Sequence, residues 1–469
     1  MRYISTRGQA PVLGFEDTLL AGLARDGGLY LPESYPTLTA DEIRAMRGLP
    51  YEEVAFRVMW PFLGGAFGEA GFRELIEGAY ACFRHPARAP LMQTGANDWV
   101  LELHHGPTLA FKDFAMQIVA QMFEAVLEDR GSHTTIVCAT SGDTGSAAME
   151  AFRGLERVRV VVLYPHGRVS EVQRRQMTTP SEGNVHAFAV DGTFDDCQAL
   201  VKAMFNDHGF RDEMRLGAVN SINWGRVLAQ VVYYFTSAVA LGAPDRAVSY
   251  SVPTGNFGDI LAGDVARRMG LPVDRLIIAT NENDILHRTL ADGVGAPEPV
   301  VPTIAPSMDI QVSSNFERLL FELYGRDGEA VAKAMAEQKA GKALTLPQGA
   351  LDALRSGFAS DRSGRAETMA VIRRVREETG MVLDPHTAIG VKAAETRRGD
   401  AAVPMVTLGT AHAAKFPDAV EEACGVHPAL PAHMADLFER PERITKAPND
   451  LAAVEAMIRD RCGMAGAGA

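Results

Sequence analysis

The chain lacks the features that direct proteins to membranes or to nucleic acid. Although 47% of its 469 residues are hydrophobic, no apolar run approaches the roughly 20 residues that a membrane-spanning helix needs. Its first residues lack the basic segment and long apolar stretch of a secretory signal, so we expect a cytoplasmic protein. The formal net charge is −13, without a block of positive charge. Because phosphate contacts require a basic surface, nucleic acid is not expected as a partner.

Cysteine is scarce and scattered. The five cysteines never stand in a CxxC spacing, which favours neither a disulfide framework nor a cysteine zinc site. His104 and His105 are adjacent, but no HExxH motif surrounds them, and neighbouring side chains on an extended segment point in opposite directions. We therefore expect no metal site.

Lysine is scarce as well. Only eight of the 46 basic residues are lysine, so few amines are available to form an imine with a carbonyl compound. Lys112 differs from most of them because apolar and aromatic residues flank it, in Leu109–Ala115 at a predicted helix start. Burial and a helix N-terminus both lower the pKa of a lysine, which an imine-forming lysine needs to be nucleophilic. The alternative is a structural lysine that pairs with Asp113 and extends towards solvent.

From about residue 99 the pattern changes to strands that alternate with helices. Lys112–Asp129 has apolar residues at helical spacing and predicts an amphipathic helix. Apolar, β-branched runs predict strands at Thr134–Ala139, Val158–Leu163, Val185–Val190, Ala247–Val252, Leu276–Ala279 and Val403–Leu408. This alternation predicts an α/β fold with mostly parallel strands flanked by helices. Such sheets bind ligands at the carboxyl ends of their strands.

Changes of pattern also predict domain boundaries. Residues 1–88 mix short helical patterns with turn signals and end in a proline-containing polar stretch, so we expect a separate N-terminal domain. The α/β pattern predicts a second domain over 89–430, followed by a C-terminal segment over 431–469. Within the second domain, residues of about 310–375 are mostly helical and charged. We expect them to form an insertion or a lid over the sheet.

Three loops that follow predicted strands combine glycine with polar residues. Residues 140–146 (TSGDTGS) open a helix, where small residues and unpaired N–H groups favour an anion; an ordinary capped helix is the alternative. Residues 254–259 (TGNFGD) could form a nest of amides for a phosphate, or only a tight turn. Residues 407–412 (TLGTAH) place a hydroxyl at a strand end, where it meets a ring nitrogen or caps the next helix. No GxxxxGK[ST] motif is present, which argues against a P-loop.

Seven sets of residues follow one another along the chain: STRG at 5–8, GLARDGGLY at 22–30, HGPTLAFKD at 105–113, SGDTGSA at 141–147, NSINWGR at 220–226, PSMDI at 306–310 with SNFER at 314–318, and DPHTA at 384–388. Together with the lysine and the three loops, these segments resemble those of fold-type II pyridoxal-phosphate enzymes, and among them the longer bacterial and fungal type of the threonine synthase family. One departure is a missing proline, because the family commonly reads AHPAKF where this chain has AHAAKF at 411–416. The change removes no reactive group.

The resemblance implies two α/β subdomains, the smaller over about 130–220, and pyridoxal 5′-phosphate as the cofactor. It implies that Lys112 holds the cofactor covalently and, once released, takes the α proton of the substrate. Thr410 is implied as the partner of the pyridine nitrogen and Asp143 as a neighbour of the ring. The implied ligands of the cofactor phosphate are Gly255, Asn256, Phe257, Gly258 and Asp259.

The reaction implied by the resemblance converts O-phospho-L-homoserine and water to L-threonine and phosphate. Candidate substrate ligands are Ser141, Thr144, Asn223, Arg226 and Lys415. One alternative is another fold-type II lyase, such as a threonine dehydratase or a cysteine synthase, against which the N-terminal segments and 306–318 argue. The other is a related protein that binds the cofactor without turnover, against which the intact Lys112, Asp143 and Asn256 argue. Whether the protein is a monomer or a homodimer stays open.

Overall fold

Strands and helices alternate along most of the chain in the computed structural model, which describes residues 1–463. The chain divides into two compact units. The first unit comprises Met1–Ala115 and Ser221–Pro428; the second begins at Met116, runs to Asn220 and resumes at Ala429. The domain boundaries predicted at 88/89 and 430/431 stay predictions, and the predicted segment 431–469 extends past the described residues.

The N-terminal part of the first unit is mainly helical. Tyr3 anchors it, because its hydroxyl donates to Phe62 O at 2.8 Å and its ring lies 6.2 Å from that of Trp224. Strands β1 and β2 pair antiparallel. The elements in chain order are β1 (Tyr3–Ser5), α1 (Phe15–Ala21), β2 (Tyr30–Pro32), α2 (Ala40–Arg44), α3 (Tyr51–Leu63), α4 (Glu69–Tyr80), β3 (Leu91–Gln93) and β4 (Asp98–Glu102).

The second unit contains a five-stranded parallel sheet. Its order is β15-β7-β6-β5-β8, and apolar side chains of α8 and α19 pack against its strands in one buried cluster. Helix α5 links the two units in sequence. The elements are α5 (Lys112–Asp129), β5 (Thr134–Ala139), α6 (Asp143–Phe152), β6 (Val158–Pro165), α7 (Glu171–Thr178), β7 (Val185–Val190), α8 (Phe194–Asn206), α9 (His208–Met214) and β8 (Leu216–Gly217), with β15 (Thr445–Ala447) and α19 (Leu451–Cys462) near the C-terminus.

The first unit resumes with the rest of a six-stranded sheet of order β13-β10-β9-β14-β4-β3. All its neighbouring strands pair parallel except β3 and β4. The remaining elements are α10 (Trp224–Ala240), β9 (Val248–Pro253), α11 (Gly258–Arg268), β10 (Val273–Thr280), α12 (Ile285–Asp292), β11 (Val294–Gly295), α13 (Phe316–Leu323), α14 (Gly328–Lys339), β12 (Leu344–Thr345), α15 (Gln348–Gly357), β13 (Phe358–Arg362), α16 (Arg365–Thr379), α17 (Pro385–Arg397), β14 (Met405–Gly409) and α18 (Pro417–Cys424).

The predicted α/β class with mostly parallel strands is confirmed, and all six predicted strands exist. Several strands of the first unit were not predicted, and two of them, β4 (Asp98–Glu102) and β13 (Phe358–Arg362), show why. The region predicted as a helical insertion also contains β13, which pairs with β10 and extends the sheet. Strand β4 was not predicted either, although it pairs with β14 along its whole length. Both strands mix charged with apolar residues, and such a mixture hides the apolar run that marks a buried strand.

Candidate active site

Lys112 begins α5 and is only 8% exposed. The chain enters the helix through Leu109, whose φ of 64° is unusual for a residue with a Cβ. Two backbone hydrogen bonds hold this entry to the loop after β14: Phe111 N donates to Thr410 O at 2.9 Å, and His412 N donates to Leu109 O at 3.0 Å. The structure thus brings two predicted site residues, Lys112 and Thr410, onto adjoining segments of the first unit.

Asp113 braces the loop that leads to Lys112. Its buried carboxylate accepts hydrogen bonds from Thr108 N at 2.8 Å and Thr108 Oγ1 at 2.6 Å. Burial raises the pKa of Asp113 to about 6, although the bonds from Thr108 and the charge of Lys415 act in the opposite direction. The Lys415 side chain is fully buried and donates from Nζ to Thr108 O at 2.8 Å. Its predicted contact with the substrate phosphate stays a prediction, whereas its observed contact is with the loop that carries Lys112.

The GNFG loop, residues 255–258, connects β9 to α11. Two of its carbonyl groups are held by residues of one segment: Ser313 Oγ donates to Gly255 O at 2.7 Å, and Asn315 donates from both N and Nδ2 to Asn256 O at 3.1 Å. In the part of the chain that the structure describes, no acceptor bonds to the backbone N–H groups of residues 255–259. A row of amides at a helix start is a suitable site for a phosphate. These residues therefore fit the phosphate group of pyridoxal phosphate.

Two positions give the GNFG loop its shape. At Gly255 an added Cβ would lie 2.4 Å from Ser307 O, so the packing behind the loop requires glycine. Phe257 adopts a left-handed conformation with φ 63°, which costs about 1–3 kcal/mol for a residue other than glycine. Its buried ring packs edge-on against Phe316, with 5.3 Å between ring centres, and this packing offsets the strain.

Asp259 follows the GNFG loop, and its carboxyl group is directed towards α10. Oδ1 accepts a hydrogen bond from Tyr233 OH at 2.5 Å and lies 3.1 Å from Tyr234 OH. Burial raises the pKa of Asp259 to about 7, while both tyrosines and the charge of Lys112 lower it. A carboxylate accepts hydrogen bonds and repels anions, so only the backbone N–H of Asp259 is suited to a phosphate. The side chain is instead an electrostatic neighbour of Lys112.

Thr410 follows β14, a central strand of the six-stranded sheet. The residue is buried, and its carbonyl group accepts the bond from Phe111. The residue therefore stands at the carboxyl end of a strand, beside the segment that carries Lys112. This is the edge of an α/β sheet at which ligands bind, as the sequence pattern predicts for this position.

Residues 140–146 lie in the second unit, at the carboxyl end of β5. Thr140 Oγ1 accepts hydrogen bonds from Gly142 N and Gly145 N, both at 2.9 Å, and so shapes the start of α6. Gly142 has φ 144°, a conformation that favours glycine. An added Cβ there would also lie within 2.6 Å of the side-chain amide of Gln173. This tight turn explains why the sequence needs small residues at the helix start.

The second unit contains three of the predicted site residues. Asp143 is the first residue of α6, is 4% exposed, and accepts a hydrogen bond from Gln173 Nε2 at 2.8 Å. Ser141 and Thr144 are half-buried. The structure groups these three residues on one loop, whereas every other predicted site residue lies in the first unit.

Asn223 and Arg226 lie at the start of α10. Asn223 caps the helix, because its Oδ1 accepts from Gly225 N at 2.9 Å while its Nδ2 donates to Leu19 O at 2.7 Å. Both residues are buried, Arg226 being 2% exposed. Their predicted contact with the substrate stays a prediction. For Asn223 the structure shows in addition a capping role that asparagine commonly has.

Three contributors to this geometry were not predicted. Thr108 and Gln173 orient Asp113 and Asp143 respectively, and the Tyr233–Tyr234 pair binds Asp259. In the sequence, the tyrosine pair gives two polar groups within the otherwise apolar run 231–235 (VVYYF) of α10. Gln173 gives no comparable signal, since glutamine on a helix is most often solvated.

Among residues 1–463, no group of three or more His, Cys, Asp or Glu side chains is arranged to hold a metal ion. Within the same residues, no helix is long and apolar enough to cross a membrane.

Comparison with known families gives three consecutive matches along the chain. Residues 2–80 match the model of the threonine synthase N terminus, and residues 85–345 match that of pyridoxal-phosphate-dependent enzymes. Residues 387–458 match the threonine synthase C-terminal model. The three matches together span most of the chain and follow the order of the segments quoted above.

Individual proteins and solved structures are similar over nearly the full length. A threonine synthase of Pseudomonas aeruginosa is 56% identical over 459 residues, covering 98% of each chain. The crystal structure of a threonine synthase from Brucella melitensis, described as bound to pyridoxal phosphate, is 57% identical with a TM-score of 0.96, covering 98% of this chain and 99% of that one. The yeast threonine synthase structure is 39% identical with a TM-score of 0.93 and covers 98% of both chains.

Proposed function

We propose that this chain, which belongs to the threonine synthase family of pyridoxal-phosphate-dependent enzymes, converts O-phospho-L-homoserine and water to L-threonine and phosphate. The family and the cofactor follow from the comparisons, whereas the substrate and the residue roles are the proposal. We place the activity in the cytoplasm as part of the same proposal.

The hydrogen bond between Phe111 N and Thr410 O carries the assignment of roles. It joins the segment of the buried Lys112 to the segment of the Thr410 hydroxyl, in the same unit as the GNFG loop. A covalent anchor, a partner for a ring nitrogen and a row of amides for a phosphate are the three groups that pyridoxal phosphate requires. Their occurrence in one unit supports Lys112, Thr410 and residues 255–259 as the cofactor site.

When bound, pyridoxal phosphate supplies an electron sink that stabilises the negative charge left on the substrate carbon after proton removal. Lys112 holds the cofactor through Nζ, and after substrate binding its free amine takes and returns the proton of the α carbon. The buried setting of Lys112 keeps bulk water away from this amine. Thr410 orients the ring by a hydroxyl contact, which does not impose a proton on the ring nitrogen as a carboxylate would.

Candidate substrate ligands lie near the start of α6 in the second unit and near the start of α10 in the first. Ser141 and Thr144 present hydroxyls near the start of α6, where the helix N-terminus favours an anionic group. Arg226 is the proposed cation for the substrate phosphate, because guanidinium binds phosphate in two-point geometry. Asn223 and Lys415 donate to backbone carbonyls, and we propose that they act by positioning the segments around the site.

Phosphate release from O-phospho-L-homoserine tests the proposal when wild type is compared with Lys112→Ala. We expect the variant to lose activity by a factor of about 100 to 10,000 or more, because both the anchor and the base are removed. Borohydride reduction followed by peptide mapping should place the cofactor on residue 112. Lys202→Ala, at an exposed position of α8, is the matched control.

The alternatives make different predictions in the same assay. A lyase of the threonine dehydratase or cysteine synthase type would turn over threonine or serine and leave O-phospho-L-homoserine intact. A binding protein without catalysis would show the cofactor on Lys112 yet release no phosphate. A Lys112→Ala variant as active as wild type would contradict the assigned role of Lys112.

A further inference from the structure

Arg318 is a buried arginine that pairs with no carboxylate among residues 1–463. It is 1% exposed, and burial lowers its pKa to about 10, so it stays protonated at neutral pH. Its guanidinium donates to Tyr30 O from Nε at 2.9 Å and from Nη2 at 2.7 Å, and to Ile222 O at 2.6 Å. The adjacent Glu317 binds Arg7 instead, at 2.9 Å. Burying a charge costs free energy even when carbonyl oxygens satisfy its hydrogen bonds. The remaining hydrogen-bond partner of this guanidinium indicates what Arg318 does.

That remaining partner is Asn315, to whose Oδ1 the Arg318 Nη1 donates. Because guanidinium is only a donor, this bond fixes which end of the Asn315 amide is oxygen. The Nδ2 end must then face the opposite way, where it donates to Asn256 O at 3.1 Å and to Ser221 O at 3.0 Å. The side chain of Asn315 is fully buried, so it cannot exchange these bonds for water.

These hydrogen bonds orient the peptide groups of the GNFG loop. In a trans peptide the carbonyl and the N–H point in opposite directions. Since Asn315 holds Asn256 O and Ser313 holds Gly255 O, the N–H groups of Asn256 and Phe257 are turned to the other side. This is the side on which a phosphate can accept hydrogen bonds from several amides at once.

We propose that Asn315 and Arg318 are positioning residues that hold the GNFG loop in the conformation which binds the cofactor phosphate. The pair gives the SNFER segment a role that the sequence comparison alone did not assign. The inference rests on the proposed phosphate site at residues 255–259. It differs from a merely structural role, in which the two residues would stabilise the fold without favouring a phosphorylated ligand.

The test compares two ligands on cofactor-free protein: pyridoxal phosphate, and 5′-deoxypyridoxal, which carries the same aldehyde without the phosphate. Asn315→Asp keeps the size of the side chain but turns the donor to Asn256 O and Ser221 O into an acceptor. We expect the apparent Kd for pyridoxal phosphate to rise about tenfold or more in Asn315→Asp and Arg318→Met. The Kd for 5′-deoxypyridoxal should change by less than about twofold, because no phosphate is involved.

Conservative and control variants complete the experiment. Arg318→Lys keeps the charge and part of the bonding, so its loss of pyridoxal phosphate affinity should be intermediate. Arg373→Met removes another bond from an arginine to a carbonyl, that of Arg373 Nε to Ala423 O at 2.9 Å, and should leave both affinities unchanged. If the buried substitutions prevent folding, Ser313→Ala removes only the bond to Gly255 O and should shift affinity for the phosphorylated ligand in the same direction.

Equal losses for both ligands would overturn the proposal, because they would show a general structural defect. Unchanged affinity for pyridoxal phosphate in all variants would overturn it as well. A different result would contradict the proposed phosphate site itself: wild type binding 5′-deoxypyridoxal as tightly as pyridoxal phosphate. The two failures can therefore be told apart.

Discussion

Asp259 is the residue for which burial changes the expected chemistry most. The sequence places it in the GNFGD segment, which predicts a phosphate contact, and the local pattern carries no information about a distant helix. Only the fold brings Tyr233 and Tyr234 to its carboxyl group. Tertiary packing thus decides the role of this side chain, as it does for Lys415 and Asn223, whose buried donors meet backbone carbonyls.

Asp259→Asn should make the stability of the cofactor-free protein less dependent on pH. The folded pKa of about 7 lies above the ordinary 3.8, so the folded chain binds this proton more tightly than the unfolded chain. The free energy of unfolding of wild type therefore falls as pH rises from about 4 to about 7. The variant lacks this loss. Its free energy of unfolding relative to that of wild type should therefore rise by on the order of 2–4 kcal/mol from pH 5 to pH 8.

Urea unfolding at the two pH values measures the difference. Asp212→Asn, at an exposed position of α9, is the control and should follow wild type. An Asp259→Asn variant with the same pH dependence as wild type would show that the carboxyl group is already ionised below pH 5.

At the scale of elements, the spacing of apolar residues predicts helices such as α5 well. Strands that mix charged with apolar residues are not predicted in this way. Helix α5 was predicted with its observed bounds, Lys112–Asp129, because its apolar face repeats at helical spacing. Strand β13 reads Phe-Ala-Ser-Asp-Arg and offers no such pattern. Its pairing with β10 comes from a contact remote in sequence. The segments of the candidate site could be predicted because they come directly after β5, β9 and β14 or begin α5, all of which the sequence predicts.

Lys415→Met tests whether Lys415 supports the loop before α5. Removal of the buried ammonium takes away its hydrogen bond to Thr108 O and a charge that lowers the pKa of Asp113. We expect the free energy of unfolding to fall by about 2–4 kcal/mol, and the affinity for pyridoxal phosphate to fall with it. Urea unfolding and cofactor titration measure the two effects.

The exposed Lys202→Met is the matched control for this variant. A contrasting outcome would favour the role that the sequence analysis assigned to Lys415. In that case the KM for O-phospho-L-homoserine would rise while stability and cofactor affinity stayed at the wild-type values, because the ammonium would act on the substrate alone.

At the scale of the whole molecule, the predicted site residues divide between the two units. The first unit carries Lys112, the GNFG loop and Thr410, whereas the second carries Ser141, Asp143 and Thr144. A sequence read in order lists these residues without this division, because both units are assembled from segments remote in sequence. The division places the proposed covalent anchor, phosphate ligands and ring-nitrogen partner in the first unit, and it makes a prediction about how each unit responds to cofactor.

Hydrogen exchange of the cofactor-free protein with and without pyridoxal phosphate should reveal this difference. Binding at 100 times Kd stabilises the folded state by about 2.7 kcal/mol, and the amides of residues 255–259 gain an acceptor where none of the residues 1–463 supplies one. We expect the largest slowing of exchange in peptides covering 255–261, followed by 109–115. Peptides of β15 and α19 serve as the internal reference. The exchange of residues 140–146 should slow further when a substrate analogue is added. If cofactor alone did not slow exchange at 255–261, the proposed phosphate site would be contradicted.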